Sequence, residues 1–97
     1  MRIRWTEKAE QQLDEIESYI AQDNPAAATR VMIDIIESAR QLIQFPNSGR
    51  PGRKEGTREL VLVGTPYILV YRTRAAEIQI LNVLHGAMRL NAFPQRP

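Results

Sequence analysis

Cationic and aromatic side chains gather in the second half of the sequence. Guanidinium and ammonium groups donate charge-assisted hydrogen bonds to phosphate and carboxylate oxygens. Spread over a glycine-rich stretch, three strand-like segments and the C-terminal part, such groups suit a surface that grips phosphates. The residues in question are Arg50, Arg53, Lys54, Arg58, Tyr67, Tyr71, Arg72, His85 and Arg89.

Other common kinds of site have no support in the sequence. The chain has no cysteine and one histidine, so a zinc site is not expected. The glycine-rich stretch 49–54 lacks the spacing of a phosphate-binding P-loop and follows no strand. No serine, histidine and aspartate arrangement for nucleophilic catalysis stands out either. We therefore predict neither a metal nor another cofactor.

Charge is divided unevenly along the chain. Residues 6–37 carry a net charge of −6 and the remaining residues +8, which together give the overall +2. A solvated surface is one explanation of such runs. The other is contact of the basic part with nucleic acid or with an acidic protein segment. For Arg50, Arg53 and Lys54, which lie among glycines, the interaction hypothesis leads.

Hydrophobic periodicity predicts the elements that must position these side chains. Residues 1–5 alternate and indicate a short strand. An amphipathic helix is predicted over 7–22, with Thr6 as its N-cap. Asn24 and Pro25 start a second helix that ends at Phe45-Pro46, so the two helices form a hairpin.

The second half of the chain predicts strands. Residues 47–57 have three glycines and no periodicity, which indicates an exposed, mobile basic loop. Three strands are then predicted over 58–63, 67–72 and 77–84, joined as an antiparallel meander. If Arg58 and Arg72 at strand ends face one concave surface, they would form an anion site.

These elements predict one α+β domain spanning residues 1–97. The N-terminal strand joins the meander in one sheet, the helical hairpin covers one face, and residues 86–97 form an extended C-terminal tail. The charged N-terminal residues do not resemble a signal peptide, and no apolar run is long enough to span a membrane. We expect a soluble, cytoplasmic protein.

The order and spacing of several short segments are distinctive. They are Trp5-Thr6-Glu7-Lys8-Ala9 with Leu13, Asn24-Pro25, Phe45-Pro46 to Gly49-Arg50, Arg58-Glu59-Leu60, Tyr67 to Arg72, and Val83 to Ala87. Together they resemble the RelE/ParE superfamily, the toxins of bacterial type II toxin–antitoxin pairs, over essentially the whole chain. The resemblance implies the fold described above and a cognate antitoxin encoded by a neighbouring gene.

The resemblance implies alternative targets. RelE-like toxins cut mRNA in the ribosomal A site, which needs basic groups at the scissile phosphate and proton transfer to and from oxygen. The catalytic candidates for such an endoribonuclease are Lys54, Arg58, Arg72, His85 and Arg89, with Tyr67 and Tyr71 as platforms for a base. ParE-like toxins poison DNA gyrase, which requires only a binding surface. An inactive toxin fold kept as a binding module is a third alternative.

Two segments favour the ParE-like alternative. RelE-like ribonucleases usually carry an arginine just after the turn into the central strand, where this chain has Gly64-Thr65-Pro66-Tyr67. The stretch from Leu84 to Met88 resembles the end of ParE-like chains, although Ala87 replaces a common arginine and Arg89 a common acidic residue. The predicted target-binding residues are Arg50, Arg53, Lys54, Arg58, Tyr67, Tyr71, His85, Met88 and Arg89.

Overall fold

Two helices and five strands make up residues 1–86, the part of the chain that the computed structural model describes. Their order confirms the predicted strand, helical hairpin and meander. Apart from its first residue, the predicted tail lies outside the described residues. The elements are β1 (Arg2–Trp5), α1 (Glu7–Ala21), α2 (Pro25–Gln44), β2 (Arg50–Pro51), β3 (Arg58–Val61), β4 (Tyr67–Arg74) and β5 (Glu77–His85).

Both helices begin at the predicted caps. The Thr6 hydroxyl accepts a hydrogen bond from the Ala9 backbone N–H at 3.2 Å, and Asn24 accepts one from Ala27 at 3.1 Å. Each cap satisfies a backbone donor that has no partner within the helix. The Thr6 hydroxyl also donates to the Ile80 carbonyl at 2.9 Å, so the start of α1 is fixed to β5.

The five strands form one mixed sheet in the order β1-β5-β4-β3-β2. β1 pairs in parallel with β5, and the other neighbours are antiparallel. The first strand therefore joins the meander, as predicted. β4 is two residues longer than predicted because only Ala75 and Ala76 form the turn before β5, both with positive φ, and β5 begins as predicted and ends one residue later, at His85. Alanine is unusual in that conformation, so the sequence did not indicate so tight a turn.

The segment 47–57 is mostly exposed, as predicted, but it contains a short strand. Arg50 and Pro51 form the edge strand β2, which pairs with Glu59 and Arg58 of β3. The Gly52 N–H donates to the Thr57 carbonyl at 2.7 Å and closes the turn that follows. Proline is tolerated in an edge strand because its missing N–H can face away from the neighbouring strand. A strand of two residues is also too short to show hydrophobic alternation in the sequence.

The hydrophobic core lies between the sheet and the helical hairpin. α2 contributes Ile35 and Leu42, while β4 and β5 contribute side chains such as Leu69, Ile78 and Ile80, all fully buried. Both helices cover this face, which confirms the predicted arrangement, and within residues 1–86 no helix covers the opposite face. Within residues 1–86, neither helix combines the length and apolarity needed to cross a membrane.

Candidate anion-binding face of the sheet

The strand register decides which side chains lie on the uncovered face. Tyr71 and Ile80 are paired and point into the core, so their neighbours Arg72 and Gln79, also paired, point the other way. The same alternation on the other strands defines a surface that we call the open face. It comprises Arg2, Arg4, Arg50, Glu59, Val61, Ile68, Val70, Arg72, Arg74, Glu77, Gln79, Asn82 and Leu84.

A polar network crosses three strands of the open face. Arg4 Nε donates to Glu77 Oε1 at 2.9 Å, and Gln79 Nε2 donates to the same oxygen at 2.8 Å. Gln79 Oε1 in turn accepts from Arg72 Nε at 2.7 Å. Arg2 Nε lies 3.5 Å from Glu77 Oε2. The network therefore links arginines of β1 and β4 through one carboxylate and one amide of β5.

The network fixes the charge of Glu77 and the orientation of its arginines. The pKa of Glu77 is lowered mainly because Gln79 and Arg4 donate hydrogen bonds to the carboxylate. Arg4 and Arg72 are each held through Nε, and within residues 1–86 no hydrogen bond engages their terminal Nη atoms. Those donors are available to an external anion.

A groove of about 570 Å³ runs beside the network. Its floor includes Val70, Leu81 and Asn82, and its other lining residues include Lys8, Arg53, Lys54 and Arg72. Leu81 is the extra residue of a β-bulge, because Tyr71 pairs with Ile80 whereas Val70 pairs with Asn82. The bulge bends β5 where the groove lies.

Glu59 is the carboxylate of this groove, and both of its oxygens have partners within the protein. It is only 4% exposed, its Oε1 lies 3.5 Å from Arg50 Nη2, and its Oε2 accepts from the Arg53 backbone N–H at 3.3 Å. Arg50 is therefore paired on the open face, as a buried carboxylate requires. Lys8, Arg53, Lys54 and Arg72 carry the positive charge around it.

Arg58 does not join Arg72 in an anion site, so that expectation is wrong. It pairs with Tyr71 in the register and lies on the face opposite Arg72. Its Nη1 donates to the carbonyls of Gly49 at 2.7 Å and Asn47 at 3.5 Å. These bonds attach the segment before β2 to β3.

Tyr71 offers no surface to a base, which corrects its assignment as a platform. Its side chain is fully buried. The hydroxyl donates to the Pro46 carbonyl at 2.7 Å and accepts from the Gly49 N–H at 2.9 Å. A Cβ on Gly49 would lie 2.8 Å from this ring, so glycine is needed for the close approach. Tyr71 connects the end of α2 to the sheet.

Tyr67 and His85 lie together on the helix-covered side. Their rings meet edge to face with centroids 5.5 Å apart, and they line a second cavity of about 530 Å³ beside α1. Burial, with a smaller contribution from Tyr19, raises the pKa of Tyr67, so its phenol is neutral at physiological pH. The tyrosine and histidine therefore belong to a different surface from the groove. Met88 and Arg89 lie outside the described residues.

Comparison with known proteins identifies the family. The family profile described as "ParE toxin of type II toxin-antitoxin system, parDE" matches residues 3–90. The chain belongs to the ParE toxin family. The toxin homologue Y4kP of Sinorhizobium fredii is 50% identical over 85 residues, which are 88% of this chain and 88% of Y4kP. Toxin RelE2 of Caulobacter vibrioides is 33% identical over 86 residues, 89% of this chain and 96% of RelE2.

Solved structures resemble this ParE-family toxin in fold. A chain of the chromosomal ParDE toxin–antitoxin system of P. aeruginosa has a TM-score of 0.81 and 35% identity, covering 88% of this chain and 95% of that chain. One from the RelBE2 toxin–antitoxin complex of Mycobacterium tuberculosis has a TM-score of 0.65 and 28% identity, covering 87% and 95%. The predicted membership in the RelE/ParE superfamily is confirmed.

Several residues of the open face and of its groove were not predicted from the sequence of this ParE-family toxin. Lys8 lies in the acidic part of the chain and reaches the groove only because α1 begins beside β5. Arg4 is brought to Arg72 by the parallel pairing of β1. The alternation of Arg2 and Arg4 was the available signal. Within residues 1–86, no three histidine or carboxylate side chains are grouped as metal ligands.

Proposed function

We propose that this ParE-family toxin arrests growth by inhibiting DNA gyrase in the bacterial cytoplasm. An antitoxin from a neighbouring gene keeps it inactive. The observation that carries the proposal is the separation of the candidate catalytic groups. Lys54 and Arg72 line the groove on the open face, whereas His85 lies on the helix-covered side and Arg58 is bound to loop carbonyls.

RNA cleavage is the more demanding activity. It requires a base, an acid and phosphate ligands within hydrogen-bond reach of one phosphodiester. Among the described residues, the groove gathers cations without a histidine or a tyrosine. Inhibition of a protein–DNA machine requires only a surface that binds tightly, and the arginines of the open face support its assignment as that surface.

The antitoxin part of the proposal rests on charge and on the structural relatives. The related chains from P. aeruginosa and M. tuberculosis come from toxin–antitoxin systems. The open face carries arginines that an acidic segment would neutralise, and disordered acidic segments fold readily onto such surfaces. Titration with the product of the neighbouring gene should give binding that weakens as salt is raised.

Two assays on the same purified chain test the proposed target. We expect inhibition of gyrase supercoiling and no cleavage of mRNA on programmed ribosomes. Arg72→Ala should weaken the inhibition, and Arg30→Ala on α2 is the control for loss of one charge. Codon-dependent cleavage that Lys54→Ala abolishes, together with normal supercoiling, would refute the gyrase proposal in favour of RelE-like ribonuclease activity. A chain inactive in both assays that still binds its antitoxin would instead be a binding module.

A further inference from the structure

From the open face we infer that the toxin contacts the phosphate backbone of duplex DNA directly. The inference rests on the proposed function in one respect, since gyrase holds duplex DNA. The inference assigns duplex DNA as the partner of the arginines at the β1 end of this face. Inhibition of gyrase does not by itself require such a contact.

These arginines form a compact basic patch. In the strand register Arg2 and Arg74 lie on either side of Glu77, and Arg4 and Arg72 lie on either side of Gln79. Strand spacing places the β1 and β4 arginines about 10 Å apart across β5, and successive members on one strand about 7 Å apart. Duplex DNA carries one negative charge per about 1.7 Å of its axis, so a patch of this size meets several phosphates.

The geometry of Arg4 and Arg72 favours directed hydrogen bonds to phosphate oxygens. Glu77 and Gln79 hold the two Nε atoms at 2.9 and 2.7 Å, so the planes of both guanidinium groups are fixed before a ligand arrives. The Nη atoms then present donors in a planar pair, which is the arrangement that binds phosphate oxygens. Pre-orientation reduces the conformational entropy lost on binding.

The rest of the open face selects a duplex over single-stranded nucleic acid. Single-stranded DNA and RNA are held by stacking of unpaired bases on aromatic side chains. Among residues 1–86, Trp5, Tyr67 and Tyr71 lie on the helix-covered side of the sheet. No aromatic side chain lies on the described open face. The side-chain amide oxygens are also engaged, because Gln79 Oε1 accepts from Arg72 and Asn82 Oδ1 accepts from Gln12 at 3.3 Å. These features favour contact with the phosphate backbone.

Fluorescence anisotropy with a labelled duplex of about 20 base pairs tests the inference on the full chain. Arg74→Gln is the decisive variant, because within residues 1–86 Arg74 is exposed and makes no hydrogen bond or ion pair that folding could need. Arg30→Gln, an exposed arginine of α2 on the opposite side of the molecule, is the matched control. Arg72→Gln tests the pre-oriented group.

We expect each open-face variant to weaken duplex binding about tenfold. Each should also reduce the slope of log K against log salt by about 0.9. The control should leave affinity and slope unchanged. Equal losses in Arg74→Gln and Arg30→Gln would overturn the inference, as would tighter binding of single-stranded RNA of the same length than of the duplex.

The outcomes separate this inference from the gyrase proposal. Duplex binding that depends on Arg74, in a toxin that leaves supercoiling intact, would uphold the DNA contact and refute gyrase as the target. Inhibition of supercoiling with no effect of either open-face variant on duplex affinity would uphold gyrase as the target and refute the DNA contact.

Discussion

Removal of the Tyr71 hydroxyl should be the most costly loss of a single oxygen atom in the described part of the chain. Tyr71→Phe keeps the buried ring, so no cavity forms. It removes the bond to the Pro46 carbonyl at 2.7 Å and that from the Gly49 N–H at 2.9 Å. Each bond contributes about 1 kcal/mol, and a buried donor left without a partner costs about 1–3 kcal/mol. We expect a loss of about 2–4 kcal/mol from a total of about 5–15 kcal/mol.

Tyr67→Phe is the matched control for this prediction. Tyr67 is also buried, at 7% exposure, but within residues 1–86 its hydroxyl makes no hydrogen bond. Its removal should change the free energy of unfolding by less than about 0.5 kcal/mol. Urea titration followed by the fluorescence of Trp5, the single tryptophan, measures both variants. Equal stabilities of the two variants would show that the contact between Tyr71 and the end of α2 contributes nothing.

Three further perturbations have defined outcomes. Gly49→Ala should lower stability by about 1–3 kcal/mol in urea unfolding, because the added Cβ would lie 2.8 Å from Tyr71; an unchanged midpoint would contradict this. Arg58→Ala should cost about 1–2 kcal/mol through the lost bond to Gly49, whereas Arg72→Ala should weaken growth arrest and keep the fold by circular dichroism. Glu77→Gln should be less stable than wild type at neutral pH, and the difference should shrink below about pH 4.5. Since hydrogen bonds lower the folded-state pKa of Glu77, its stabilisation is lost as pH falls through that pKa, and a constant difference would refute this reading.

Much of the fold could be predicted because local signals and burial agree. Thr6 and Asn24-Pro25 cap the helices through local hydrogen bonds, which the sequence alone indicates. The apolar residues that recur along each helix are also those that the core buries. The exceptions depend on long-range contacts. β2 exists because β3 supplies its hydrogen bonds, and Ala75 and Ala76 take up positive φ because the paired strands impose the turn.

The site was harder to predict because composition does not tell which face a side chain occupies. Arg58 and Arg72 look equivalent at strand ends, yet the register places them on opposite sides of the sheet. Tyr71 looked like a platform because nothing nearby in sequence indicates that Pro46 and Gly49 bind its hydroxyl. Lys8 was hidden in an acidic helix whose first turn lies beside the groove.

The parallel pairing of β1 with β5 has a consequence for how the protein is made. Arg2 to Trp5 pair with Glu77 to Ile80, so β1 is synthesised before β5 and cannot enter the sheet until β5 is present. Contacts of such sequence separation form late and slow folding. A polypeptide released before residue 77 lacks the partner strand of β1 and one side of the Arg4–Arg72 network. Products of this gene that end before β5 should therefore have no toxic activity. Toxicity should appear only after translation has passed the codons for β5.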